Sequence, residues 1–188
     1  IAWTPFNETR QAADWALHRR LHRDAYALCK ALDPTRPVND ASGYVHVKTD
    51  LWTVHTYEQD PAKLAALLAP SPERGLFRNV PDREPAYGGQ PYLVDEFGGI
   101  KWIPPARRAW ADNSWGYGQG PKTLKEFYGR LKGQVEAILA QPHVAGYCYT
   151  QLTDVMQEIN GLLTPDRTPK VAIEKIRALV RNAPGRNG

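Results

Sequence analysis

Apolar residues alternate along the chain between short runs and helical stripes. Residues 1–6 (IAWTPF) are an apolar run that ends in Asn7-Glu8. That reads as a buried strand carrying an amide and a carboxylic acid at its C-terminal tip. Over residues 9–32, Leu17, Leu21, Ala25, Leu28 and Leu32 recur at three- and four-residue spacings, which predicts a helix with this stripe facing the core. Asp33-Pro34-Thr35-Arg36-Pro37 ends it, because proline cannot continue the ladder and restricts the residue before it. A very short strand is expected from Val38 to Asn39-Asp40, followed by a loop at Ala41-Ser42-Gly43. The next strand lies around 53–55 in DLWTVHTY, and Pro61 opens a short helix with Leu64, Leu67 and Leu68. Residues 70–90, rich in Pro, Gly and Arg, read as a long loop.

The pattern resumes with a strand over 92–95 that delivers Glu96. A second long loop, 97–120, holds Trp102, Trp110, Trp115 and Tyr117. Pro121 opens a helix with Leu124, Phe127, Leu131, Val135 and Ile138 on one face, and Pro142 closes it. Residues 143–149 are the last strand and 150–167 a further loop. After Pro169 a final helix turns Ile173, Ile176, Leu179 and Val180 inward, and 182–188 reads as a frayed tail. Strands alternating with helices imply an α/β fold with a parallel sheet. Asn7, Glu8, Asn39, Asp40, His55, Tyr57, Glu96 and Tyr149 all fall at C-terminal strand ends. In a parallel α/β barrel those ends share one mouth, built from the βα loops.

Composition narrows the chemistry. The chain has 188 residues, of which 10% are aromatic, including six Trp and nine Tyr, a supply that suits both packing and carbohydrate faces. The net charge of +4 is small, and the run from His18 to Arg23 reads as a solvated helix face, so no nucleic-acid partner is expected. No stretch approaches the ~18 apolar residues of a membrane span. Cys29 and Cys148 stand outside any metal spacing and read as free buried thiols; no metal and no cofactor are expected. No Gly-rich phosphate loop follows a strand, and the Gly98-Gly99 pair fits no dinucleotide fingerprint. The chain starts at Ile1 without Met and inside an apparent core strand, so an earlier part of the polypeptide is expected and the compartment stays open.

Asn7-Glu8, then His55-Thr56-Tyr57, then Glu96-Phe97-Gly98-Gly99, then 146–154 (GYCYTQLTD), in that order, resemble the catalytic domain of glycoside hydrolase family 2. That family includes β-galactosidases, β-glucuronidases and β-mannosidases. The resemblance implies a partial (β/α)8 TIM barrel over residues 1–181, running from barrel strand four to strand eight, with the earlier strands and β-sandwich domains elsewhere in the same polypeptide. It implies Glu8 as acid/base and Glu96 as nucleophile of a retaining β-glycosidase with a carbohydrate substrate. Asn7 would bind the sugar 2-hydroxyl, His55 another hydroxyl, and Tyr57 would orient Glu96. Trp102, Trp110, Trp115 and Tyr149 would be sugar platforms, while Asp40, Gln151 and Asp154 would stand behind the site. Arg167 and Lys170 read as structural. Because five strands cannot close a barrel, the 188 residues alone are expected to be inactive. Two other readings stay open: a family 5-like endo-β-glycanase, and a non-catalytic carbohydrate-binding relative.

Overall fold

The computed structural model describes residues 1–9, 12–110 and 112–181, apart from the side chains of residues 108 and 110. The 182–188 tail lies outside the described residues. In chain order the elements are α1 (Trp15–Leu32), β1 (Trp52–Thr56), α2 (Pro61–Leu68), β2 (Tyr92–Gly98), a 3-10 turn (Pro105–Trp110), α3 (Leu124–Leu139), β3 (Val144–Thr150) and α4 (Ile173–Arg181). None of the described helices is long and apolar enough to cross a membrane. The chain divides into two compact units. One comprises Ile1–His55, Pro70–Glu96 and His143–Tyr147; the other comprises Thr56–Ala69, Phe97–Pro142 and Cys148–Gly188.

The first unit is built on a small parallel sheet in the order β1-β2-β3. All five residues of β1 are buried, as expected for a parallel strand covered on both faces. Trp52, Val54, Tyr92 and Val94 supply the core, joined by Val38, Ala41 and Val45 from the loops. Among the described residues three strands replace the five expected. Residues 1–7 and 38–42 make only isolated parallel bridges, Trp3 to Val38 and Asn7 to Ser42. Nor is the first segment buried: Trp3 is 47% exposed and its indole N–H reaches Asp33 Oδ2 at 3.1 Å. Its backbone bonds run to the 37–42 segment alone among the described residues.

Helix α1 starts where Asp14 caps the free N–H groups of Ala16 and Leu17, at 2.8 and 3.1 Å. Its buried face is not the leucine stripe. Leu17, Leu21, Leu28 and Leu32 are exposed, whereas His18 and His22 from the supposed solvated face are buried. Polar partners make that arrangement tolerable. His18 Nε2 lies 3.1 Å from Thr9 O, and His22 Nδ1 lies 3.3 Å from Asp40 Oδ2. The rings of Phe6 and His22 stack at 4.7 Å.

Asp40 is the polar centre of this unit. Its carboxylate accepts from the backbone N–H groups of Ala41, Val47 and Lys48, and lies 2.7 Å from His46 Nδ1. Burial alone would raise its pKa, but the hydrogen bonds from His22 and His46 outweigh that and hold it well below the ordinary 3.8. Burial would likewise lower His46, but the bond to Asp40 and its charge raise it above 6.5. The signs fix a window. Asp40 stabilises the fold above the ordinary carboxylate value and loses this as pH falls through its depressed pKa. His46 stabilises below 6.5 and loses this as pH rises through its raised pKa. Thermal unfolding followed by circular dichroism between about pH 3 and pH 8 is expected to show this contribution at its fullest from about pH 4 to pH 6.5. Asp40→Asn should remove it, and an unchanged profile in that variant would count against the pairing.

In the second unit α2 and α3 pack together. Asp60 caps α2, with Pro61 in the first turn, where a missing N–H costs nothing. Thr123 caps α3 while Glu126 reaches back to the Lys122 N–H at 2.7 Å. Leu64, Leu68, Phe127, Leu131, Val135 and Ile138 form the core between them. The inward face expected for α4 is half-buried rather than enclosed. Cys29 is half-buried and Cys148, on the edge strand β3, is exposed, so neither thiol is enclosed as expected.

Candidate active site

Glu8, His55 and Glu96, far apart in sequence, meet in the first unit. Glu8 follows directly on the Asn7–Ser42 bridge, and its N–H bonds Ser42 O at 3.0 Å. Its backbone is left-handed, with φ 52°, a conformation that costs a non-glycine residue about 1–2 kcal/mol. Asn7 is exposed beside it. His55 and Glu96 come from β1 and β2, adjacent strands of the sheet.

The imidazole of His55 joins the acids. Its Nδ1 lies 2.9 Å from Glu8 Oε1 and 3.2 Å from Glu96 Oε2. Its Nε2 lies 3.0 Å from Ser42 Oγ and 3.3 Å from Asp95 Oδ1. Ser42 donates its own hydrogen to Asp95 Oδ2 at 2.7 Å, so its oxygen is left to accept from Nε2–H. Both ring nitrogens therefore act as donors. The electrostatics agree: burial would lower the pKa of His55, but the hydrogen bond and charge of Asp95, then Glu8 and Glu96, raise it above 6.5. His55 is enclosed among three carboxyl groups, with its side chain 1% exposed, against 33% for Glu8 and 21% for Glu96.

Three neighbours hold that ring. Asn79 clasps the His55 backbone, accepting from its N–H at 3.0 Å and donating to its C=O at 2.8 Å. Gly43, at φ 63°, lies so close that a Cβ there would stand 2.4 Å from the His55 ring. Tyr44 packs edge-on against the ring at 5.7 Å. By sequence Ser42 and Asn79 fall in loops, and Asp95 falls in the strand that delivers Glu96. No spacing rule links residues so far apart, and only the motif order around Glu8, His55 and Glu96 was visible.

The aromatic candidates lie in the second unit. Tyr57 stacks on Tyr117 with ring centres 3.5 Å apart and planes 3° apart. Trp115 meets Tyr117 edge-on at 5.7 Å and is 47% exposed. Tyr117 was not among the site candidates. Tyr149 has Gly98 against its ring and Phe97 edge-on at 5.7 Å, and its hydroxyl donates to Asn160 O at 3.1 Å. Burial raises its pKa. Trp102 is 7% exposed and packs against Phe127, so it is a core residue and not an open platform. The side chain of Trp110 lies outside the described residues. Asp154 and Lys170 form a buried ion pair at 2.7 Å in this unit.

No family model matches the chain, and no curated protein matches it in sequence. Solved structures match it in fold. A β-D-glucuronidase from Dictyoglomus thermophilum superposes with a TM-score of 0.63 at 18% identity, over 98% of this chain and 32% of that one. A Bifidobacterium dentium β-glucuronidase complexed with coumarin-3-O-glucuronide gives 0.64 at 16% identity, over 98% and 31%. A GH2 β-galacturonidase from Eisenbergiella tayi bound to galacturonate gives 0.59 at 16% identity, over 96% and 33%. At these identities the likeness is one of fold, and the chain spans about a third of the length of these structures.

Proposed function

We propose that this chain carries the two catalytic glutamates of a retaining β-glycoside hydrolase of family 2, on the fourth to eighth strands of a (β/α)8 barrel. One observation carries the reading: Glu8, His55 and Glu96 each offer an atom within 4.8 Å of the others. A retaining glycosidase needs its carboxyl groups ~5–5.5 Å apart, whereas an inverting one keeps ~6.5–9.5 Å to admit a water. One oxygen of Glu8 lies within 4.8 Å of one oxygen of Glu96, which supports the shorter separation and the retaining reading. The motif order and the fold of the matched glucuronidases and galacturonidase support the same reading.

In this mechanism Glu8 protonates the glycosidic oxygen while Glu96 attacks the anomeric carbon and forms a glycosyl ester. Glu8 then takes a proton from water, which hydrolyses the ester. His55 acts through the acids rather than on the sugar, because its ring nitrogens are already engaged by Glu8, Glu96, Asp95 and Ser42. Asn7, exposed beside Glu8, is positioned to bond the 2-hydroxyl, a contact that strengthens as the oxocarbenium character grows. Among the described aromatic candidates Trp115 is the most exposed, at 47%. Turnover is assigned to a polypeptide of the length of the matched enzymes, not to these 188 residues alone.

The test is a panel of aryl β-glycosides, β-glucuronides and β-galacturonides first, offered to a polypeptide that contains this chain. Proton NMR of the first-formed sugar is expected to show the β anomer. An α anomer formed first would overturn the retaining mechanism, and no hydrolysis across the panel would overturn the glycosidase reading.

A further inference from the structure

We propose that Glu8, His55 and Glu96 also form a binding site for a zinc-type divalent cation, which replaces the proton shared between the imidazole and the two acids. Binding depends only on the geometry; its consequence, blocked turnover, rests on the reading of Glu8 and Glu96 as the catalytic pair.

Zinc holds nitrogen and oxygen ligands at ~2.0–2.2 Å in a tetrahedron, so neighbouring ligand atoms stand ~3.3 Å apart. His55 Nδ1 already lies 2.9 Å from Glu8 Oε1 and 3.2 Å from Glu96 Oε2. All three ligand atoms lie within 4.8 Å of one another. Both glutamates are partly open to solvent, 33% for Glu8 and 21% for Glu96. That opening leaves a fourth position for water. The charges balance as well: two carboxylates and a neutral imidazole meet a dication, and the displaced imidazole proton leaves to solvent.

A second feature points to a metal rather than to a bare acidic cluster. Metal-binding histidines donate their other ring N–H to a carboxylate, which fixes the tautomer. Asp95 Oδ1 stands 3.3 Å from His55 Nε2, and Ser42 bridges the same nitrogen and Asp95. The Asn79 clasp and Gly43 hold the ring in place. The other trio of this kind, His22, Asp40 and His46, lacks these properties: Asp40 is fully buried and its oxygens accept from three backbone N–H groups. An imidazole ligand favours zinc, cobalt or copper over magnesium, which prefers an octahedral shell of oxygens. With the metal in place Glu8 would hold a cation in place of the proton it gives, and Glu96 would be held on the metal with its charge drawn off, away from the anomeric carbon.

The experiment uses a polypeptide that contains this chain, and cobalt(II) as a coloured stand-in for zinc. One cobalt per chain, with the strong visible absorption of a four-coordinate site and bleaching by zinc, is expected. Glu8→Gln and Glu96→Gln should each abolish that absorption, with circular dichroism checking that each variant is folded. Asp95→Asn keeps all three ligands and should weaken binding by about 10–100-fold. Cys148→Ser, which removes an exposed rival ligand, should change nothing. Absorption that survives both glutamine variants, vanishes in Cys148→Ser, or never appears overturns the proposal. Cobalt binding lost in the glutamine variants, in a longer polypeptide that hydrolyses no glycoside, keeps the metal site and rejects the glycosidase reading.

Discussion

Glu96→Ala, in a polypeptide that hydrolyses an aryl β-glycoside, is expected to lower kcat by at least about 10⁴-fold, or ~5.5 kcal/mol of barrier. Without the carboxylate no glycosyl ester forms, and the methyl group that replaces it cannot stabilise the anomeric cation. The cavity left beside His55 should admit a small anion. Added azide is therefore expected to restore part of the rate and to give a glycosyl azide of the opposite anomeric configuration. Glu8→Ala is expected to have a different signature, because the role proposed for Glu8 is to serve the leaving group. An alkyl glycoside needs that proton and should lose about 10²–10⁴-fold, whereas a dinitrophenyl glycoside, whose phenolate leaves unaided, should keep most of its first-step rate. Pre-steady-state burst rates, or kcat/KM, on both substrates decide the matter. Equal losses on the two would remove Glu8 from the acid role, and a Glu96→Ala variant with near-normal turnover would remove Glu96 from the nucleophile role.

The largest expected effect on stability belongs to Asp154 and Lys170. Their side chains are 2% and 0% exposed and meet at 2.7 Å. Burial lowers the pKa of Lys170, against the pull of Asp154. Asp154 Oδ1 also accepts the Gly161 N–H at 2.8 Å. Asp154→Asn keeps an acceptor for Gly161 but leaves an ammonium in the interior without its counter-charge. The expected loss is about 3–5 kcal/mol in urea unfolding, a large share of the ~5–15 kcal/mol that holds a domain together. Adding Lys170→Met removes the stranded charge and should return most of that loss. If the single variant costs less than about 1 kcal/mol, the pair is no more than a surface ion pair in energetic terms.

Much of this architecture was legible from the chain because its signals are local. Pro61 in the first turn of α2, the apolar spacing of α3 and the short runs of β1, β2 and β3 each act over a few residues. Their elements formed within a few residues of where they were expected. Helix α1 is the instructive exception. Its leucines gave the right periodicity, but the buried face belongs to His18 and His22, because Thr9 and Asp40 supply the partners that make burying imidazole tolerable. Periodicity locates a helix; which face it buries depends on groups that arrive from elsewhere. The same limit governs the site. The order of motifs brought Glu8, His55 and Glu96 into view, but Ser42, Asn79 and Asp95 act through contacts that no spacing encodes. Trp102 failed as a platform for a related reason: a tryptophan in a loop can still be claimed by a core residue such as Phe127.

Asn79 has a bearing on how this protein can be re-engineered. It sits in the stretch between α2 and β2, which by composition looks free to be shortened, lengthened or exchanged for the equivalent stretch of another protein. Yet its amide is bonded to both backbone groups of His55. Any graft that shifts the register at this one residue would release the clasp and leave the imidazole to find its own angle. The permissible cut points therefore lie on either side of Asn79, and a transplanted loop must bring an amide to the same place.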